Sequence, residues 1–233
     1  MSKIKILGIV AMSLLVGGAA YGASCDVTAA AAMGPDNGGT ACGGGNCGYE
    51  CTLDGNTSPA FVQDDSPQDE TVYRACFRYD PSNLDPFAGS PGMIYIPIRA
   101  THQDSFKANF QIILTQKVNL NRLSIRSVTN SGAVRFSNRI NASGANRYCV
   151  TSTVSDTPGV ANGNVMMQVT DGPQAGQCVS TTDFSPGLNN SQVPVQNLLA
   201  GAVGNINPGI SGPAYFDEFE SYRTLGPDGS DCP

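Results

Sequence analysis

The chain has 233 residues, of which 14% are charged and 40% hydrophobic, and its formal net charge is −6. Soluble domains average about 25% charged residues, so this composition disfavours helical bundles and coiled coils. Short runs of Val, Ile, Phe and Tyr exclude a chain that is mainly a disordered acidic tail, and the 27 glycines and 15 prolines favour an all-β domain with many turns.

Residues 1–23 have the features of a secretory signal peptide. Lys3 and Lys5 precede an apolar run over residues 6–16, and Ala20 and Gly22 supply small residues at the cleavage site. A helix needs about 20 apolar residues to cross a bilayer, and this run is only about half as long. We therefore predict a secreted protein, extracellular or periplasmic, with no membrane span.

Eight cysteines follow the predicted cleavage site, and an even number in an exported chain predicts disulfides. Two alternatives are disfavoured. Lipidation of Cys25 lacks a Leu-like residue three positions upstream, and zinc binding by Cys42, Cys47 and Cys51 lacks closely spaced cysteine pairs. The other four cysteines are Cys76, Cys149, Cys178 and Cys232.

Residues 24–47 form a leader rich in Gly, Ala and Cys, residues 48–225 form the predicted domain, and residues 226–233 form a tail with Cys232. Short apolar runs closed by Gly, Pro, Asn and Ser predict a β-sandwich of ten strands with no helix. The predicted strands cover residues 49–53, 71–80, 93–98, 106–114, 118–128, 133–140, 147–154, 164–170, 177–181 and 214–223.

A hairpin is predicted around Asp171 and Gly172, because this pair favours the positive φ of a tight turn. Pro173 and Gly176 indicate a loop longer than two residues. Cys149 and Cys178 then fall on nearby strands, and we predict a disulfide between them.

A second hairpin contains the main charge anomaly. Seven basic and no acidic residues lie between Asp104 and Asp156. A two-residue turn at Ser131 and Gly132 sets Arg126 opposite Ser137 and Ser124 opposite Arg139, while the other face, with Leu123, Ile125, Val134 and Phe136, enters the core. The predicted ligand-binding residues on this hairpin are Arg122, Arg126, Arg135 and Arg139.

Three segments together resemble the laminin-G-like, concanavalin-A-like jelly-roll superfamily, in a form found in exported bacterial proteins. The segment over 48–81 resembles a first strand, an acidic loop and a second strand of the YRARFYFDP type. NVMMQVTDG resembles the apolar strand that ends in Val-x-Asp-Gly, and SGPAYFDEFESYR resembles the last strand. The chain departs from this pattern in having no Trp and in placing Cys76 at a position where Arg is expected.

The resemblance implies two curved antiparallel sheets, pairing of the first and last strands, and carbohydrate binding. It also implies a structural calcium ion. Asp217 matches an aspartate that binds calcium in related glycanases, and we predict that Asp64 and Asp65 add oxygen ligands.

No catalytic constellation is recognised in the sequence. Glycanases need two carboxylates across the scissile bond, and Asp217-Glu218-Phe219-Glu220 has the wrong order for the related enzymes. We therefore predict that the protein is not an enzyme but a secreted, non-catalytic binding domain for a glycan, a cell-surface polymer or an acidic polymer. A glycan-active enzyme is a less favoured alternative. The alternative is a structural subunit that self-associates through the basic hairpin. The pI of about 4.6 disfavours nucleic acid as a partner.

Overall fold

The structure is a computed structural model that describes residues 24–28, 48–55, 58–85, 92–102, 107–117, 120–184 and 186–224. The predicted signal peptide, most of the leader, and the tail with Cys232 lie outside the described residues. Within the described part, no helix is long and apolar enough to cross a membrane.

The described chain is built from strands, with a short 3-10 helix over Thr181–Asp183. The strands are β1 (Ser24–Thr28), β2 (Gly48–Asp54), β3 (Ala60–Asp64), β4 (Val72–Asp80), β5 (Gly92–His102), β6 (Lys107–Lys117), β7 (Leu120–Val128), β8 (Val134–Asn141), β9 (Asn146–Thr153), β10 (Asn164–Asp171), β11 (Cys178–Ser180), β12 (Asn197–Gly204) and β13 (Ser211–Tyr222).

These strands form two antiparallel sheets that pack as a jelly-roll sandwich. One sheet has seven strands in the order β1-β2-β13-β4-β9-β10-β11, and the other has six in the order β3-β12-β5-β6-β7-β8. The predicted all-β, concanavalin-A-like class is confirmed. The expected pairing of the last strand with the first strand of the domain is present between β13 and β2.

The alternation of side chains along β4 explains how the core forms. Tyr73, Ala75, Phe77 and Tyr79 point into the sandwich and are at most 2% exposed, while the residues that alternate with them point to the outer face. The hydroxyl of Tyr79 bonds the hydroxyl of Tyr95 on β5. This hydrogen bond joins the two sheets at the centre of the core.

Three strands were not predicted. β1 belongs to the predicted leader and β3 to the predicted acidic loop, whereas β12 has the sequence NLLAGAVG and lacks β-branched and aromatic residues apart from one Val. The small residues of β12 are required by close packing. A Cβ at Gly201 would lie 2.9 Å from the Sγ of Cys25 and 2.8 Å from the carbonyl oxygen of Ala60.

The described cysteines are all disulfide-bonded, which confirms the prediction of disulfides for this part of the chain. Cys25 on β1 bonds Cys51 on β2 and so attaches the leader to the seven-stranded sheet. The predicted Cys149–Cys178 pair is wrong, because Cys149 bonds Cys76. Cys76 lies directly opposite Cys149 on the adjacent strand, whereas Cys178 on β11 lies opposite Gln168 on β10.

Candidate functional site

The β7–β8 hairpin turns through three residues rather than the predicted two. The amide of Thr129 donates to the carbonyl of Ala133 at 2.9 Å, so the loop is Asn130, Ser131 and Gly132. Gly132 has a φ of 84°, which a glycine adopts without a steric penalty. The additional loop residue shifts the register of β8 by one position next to the turn.

This shift changes which side chains reach the outer face of the six-stranded sheet. Arg135 lies opposite Ser127, a buried residue of the core side, and Phe136 lies opposite Arg126 on the outer face. The assignment of Phe136 to the core is therefore wrong, since its side chain is 50% exposed. Arg135 leaves the predicted face because a slip of one residue reverses every side chain.

A β-bulge at Ser137 then restores the predicted register. The Ser137 hydroxyl accepts the amide of Ile125 at 2.9 Å, and the ladder continues with Ser124 opposite Arg139, as expected. The amide of Asn138 in the bulge donates to Asp183 of the 3-10 helix at 3.0 Å. Side chains thus satisfy the backbone groups that the bulge removes from the ladder.

The outer faces of β6, β7 and β8 form an open groove of about 470 Å³. Three of the four predicted arginines, Arg122, Arg126 and Arg139, line it, and Arg135 does not. On its floor, Ile113 packs with Ile96 of β5. The remaining lining residues are Gly92, Thr115, Gln116, Ser124, Phe136, Ser137 and Asn205.

A row of polar residues runs from this groove across the sheet. Arg99 on β5 lies opposite Gln111 on β6, which lies opposite Arg126 on β7. The guanidinium of Arg126 donates from Nη1 to Oε1 of Gln111 at 2.5 Å. Burial, and next the charge of Arg126, lower the pKa of Arg99 from its ordinary value. The row therefore places the guanidinium groups of Arg99 and Arg126 on either side of Gln111.

None of the groove arginines forms an ion pair with a carboxylate of the described residues. The Nε of Arg99 is buried and has no hydrogen-bond partner within the same set. The described carboxylates therefore do not balance the charge of the groove arginines through direct ion pairs.

Two arginines on the outer face of the seven-stranded sheet form ion pairs with carboxylates, unlike the groove arginines. Arg78 and Arg147 lie directly opposite one another on β4 and β9. Arg78 bonds Asp171 at 2.7 Å and Glu218 at 3.1 Å, and Arg147 bonds Glu220 at 2.7 Å. These carboxylates remove the repulsion between the two opposed cations.

Glu218 adopts a φ of 50° in a bulge of β13. A non-glycine residue in this left-handed region costs about 1–3 kcal/mol. Its carboxylate contacts both Arg78 and Arg147, at 3.1 and 3.9 Å, and its side chain is 9% exposed. The fold therefore accepts backbone strain at a position where a carboxylate neutralises two arginines.

The predicted calcium ligands do not form a metal-binding group in the described structure. No group of three or more His, Cys, Asp or Glu side chains that could hold a metal ion occurs among the described residues. Oδ1 of Asp217 accepts the amide of Glu218, and Asp64 accepts the amide of Ser66. Asp65 accepts the side-chain amide of Gln63. Calcium binding stays a prediction.

Two other residue types that can take part in carbohydrate chemistry lie away from the groove. His102 ends β5 with its Nε2 atom 3.6 Å from Asp69. Of the tyrosines that could stack on a sugar, Tyr95 and Tyr148 are fully buried, and Tyr215 and Tyr222 are half-buried on β13. Arg99 and Gln111 were not predicted as site residues, although Arg99 alternates with the apolar residues Ile98 and Ala100, which is the signal of an outward-facing strand position.

Comparisons with known proteins place the fold but not the family. No family model matches the chain, and no curated protein matches it. The solved structure of the cellulose-induced protein Cip1 is 8% identical, with a TM-score of 0.52 and coverage of 87% of each chain. This similarity shows a shared fold, and nothing in the comparisons supports the laminin-G branch specifically.

Two further solved structures are alginate lyases. That of Pseudomonas aeruginosa is 12% identical, with a TM-score of 0.48 over 75% of this chain and 82% of that chain. That of Alteromonas sp. 272 is 8% identical, with a TM-score of 0.40 over 76% of this chain and 79% of that chain. The prediction that the protein is not an enzyme is corrected by these matches, which include enzymes that act on a polysaccharide.

Proposed function

We propose that the protein is secreted and recognises an anionic polysaccharide in the groove on the outer face of the six-stranded sheet. The observation that carries this proposal is the set of guanidinium groups of Arg122, Arg126 and Arg139, which line one groove without an ion pair to any described carboxylate. Guanidinium groups bind carboxylate and sulfate with two parallel hydrogen bonds.

The spacing of the arginines suits a polymer rather than a single small anion. Arg122 and Arg126 are four residues apart on β7, which is about 13 Å at about 3.3 Å per residue. Arg139 lies opposite Ser124, midway between them and one strand away. A chain that carries a charge on successive units can contact several of these cations at once, and an isolated anion can contact only one or two.

A polysaccharide is favoured over other polyanions by the jelly-roll fold, which the superfamily resemblance associates with carbohydrate. Because a fold alone does not assign a function, the groove remains the basis of the proposal. The names of the solved structures, one a cellulose-induced protein and two alginate lyases, make alginate a suitable first probe.

The test is binding of the purified mature protein to alginate at low salt, with uncharged dextran as the control polymer. The double variant Arg126→Ser/Arg139→Ser should bind alginate about a hundredfold more weakly, because each lost charged hydrogen bond contributes about 1.5 kcal/mol. Arg135→Ser is the matched control, since Arg135 belongs to the same hairpin but not to the groove. Equal losses in both variants, or unchanged binding in the double variant, would contradict the proposal.

The same mixtures also report cleavage. In β-elimination at a uronate unit, a base removes the proton at C5, the glycosidic C–O bond at C4 breaks, and the sugar chain leaves with that oxygen. The C4–C5 double bond that remains absorbs in the ultraviolet. If absorbance rises with the wild type and not with the double variant, the groove is also the active site of a lyase. Size-exclusion chromatography of each variant separates polymer binding from self-association through the basic hairpin.

A further inference from the structure

Phe136 is the exposed aromatic residue of the groove. Its side chain is 50% exposed and lies opposite Arg126, on the side of the groove formed by the edge strand β8. Single exposed apolar residues are common on proteins. Phe136 differs from such residues because the guanidinium groups of Arg126 and Arg139 line the same groove.

A three-residue loop followed by a β-bulge places the Phe136 ring on the outer face of the sheet. Without the three-residue loop, Phe136 would share the face of Ile125 in the core. The bulge at Ser137 confines the register shift to the residues next to the turn, because the Ser137 hydroxyl accepts the amide of Ile125 on β7 and Asp183 accepts the amide of Asn138 in the bulge. Arg139, beyond the bulge, therefore stays in the groove while Phe136 joins it.

We propose that Phe136 is the specificity-determining residue of the groove, on which one sugar ring of the bound polymer stacks. A pyranose ring carries C–H groups on its faces and polar groups at its edge. With one face on the phenyl ring, its C–H groups contact the π surface, and an equatorial carboxylate at its edge points along the sheet toward Arg126 or Arg139. Aromatic packing of this kind is worth more than the area it buries.

This inference rests on the proposed function and narrows it to polymers made of sugar rings. A groove that recognised charge alone would bind any flexible polyanion of similar charge density. The combination of an apolar ring with two neighbouring guanidinium groups predicts a preference for polyuronates over polyanions without rings.

The experiment compares alginate with polyacrylate, which carries carboxylates but no sugar rings, at the same low salt concentration. Phe136→Ala should weaken alginate binding about tenfold, equivalent to about 1.4 kcal/mol, and leave polyacrylate binding unchanged. Phe136→Tyr should retain wild-type binding of alginate. Phe61→Ala is the matched control, since Phe61 is 40% exposed on β3 at the opposite edge of the same sheet and does not line the groove.

The outcomes distinguish this inference from the function on which it rests. If Arg126→Ser/Arg139→Ser weakens both polymers while Phe136→Ala weakens neither, the stacking role is refuted and the charge recognition remains. An equal effect of Phe136→Ala on both polymers, or an equal effect of Phe61→Ala, also refutes stacking at Phe136. If the arginine variant changes nothing, the proposed function itself is refuted.

Discussion

The hydrogen bond between Tyr79 and Tyr95 predicts an energetic coupling between the two sheets. Both side chains are fully buried, and their hydroxyl groups bond each other at the centre of the sandwich. Replacing either residue with Phe removes one hydroxyl and leaves the other buried without this partner. Such an unsatisfied group costs about 1–3 kcal/mol, more than the hydrogen bond itself contributes.

The double variant Tyr79→Phe/Tyr95→Phe removes both hydroxyl groups and leaves neither unsatisfied. We therefore expect each single variant to lower the free energy of unfolding by about 2 kcal/mol, and the double variant to be at least about 1 kcal/mol more stable than the sum of the two losses predicts. For a domain of this size, a loss of about 2 kcal/mol lowers the melting temperature by about 4–8 °C.

The assay is urea unfolding of the oxidised protein, followed by both far-ultraviolet circular dichroism and tyrosine fluorescence, because coincident transitions are needed for two-state analysis. Strictly additive losses would refute the coupling. Single variants as stable as the wild type would also refute the coupling, because they would show that the remaining hydroxyl group has another hydrogen-bond partner.

Three further predictions concern the turn, acid stability and calcium. Gly172→Ala should destabilise the protein clearly more than Gly159→Ala in thermal melts, because a Cβ at Gly172 would lie 2.5 Å from a backbone oxygen whereas one at Gly159 meets nothing within 4 Å, and both have positive φ. The hydrogen bond from Arg78 is the main cause that lowers the pKa of Asp171. The ionised Asp171 carboxylate therefore stabilises the fold fully above the pKa of an aspartate in the unfolded chain, about 3.9, and this stabilisation is lost as the pH falls through the lower pKa of the folded state. In urea unfolding, the difference in stability between the wild type and Asp171→Asn should be larger at neutral pH than in acid. If the predicted calcium site exists, millimolar calcium should raise the melting temperature relative to EDTA, and identical melting curves would argue against it.

The elements predicted correctly are those whose side chains alternate clearly. β4 and β10 carry apolar residues at every second position, so both strands and the loop after Asp171 could be predicted from the sequence. β12 could not, because its Gly and Ala residues are selected by contacts with β3 and Cys25 that are distant in sequence. The β-propensity of a residue reflects how often it occurs on a pleated, half-buried surface, and close contacts of this kind override it.

The candidate site was predicted in part, for a reason that lies in a single loop residue. The spacing of the arginines identified three of the groove cations, and the pairing of Ser124 with Arg139 was anticipated. The presence of Phe136 instead of Arg135 on the outer face was not predicted, because a three-residue loop followed by a bulge leaves the register farther along the hairpin unchanged. Arg99 and Gln111 join the row through pairing between strands, which local sequence does not reveal.

The most direct test of the groove as the recognition site is a structure of the protein with a bound uronate oligosaccharide. The account predicts carboxylates of the sugar within hydrogen-bond distance of the guanidinium groups of Arg126 and Arg139, on the outer face of the six-stranded sheet. An oligosaccharide bound to the outer face of the seven-stranded sheet, or to loops away from the groove with these guanidinium groups still unoccupied, would contradict it.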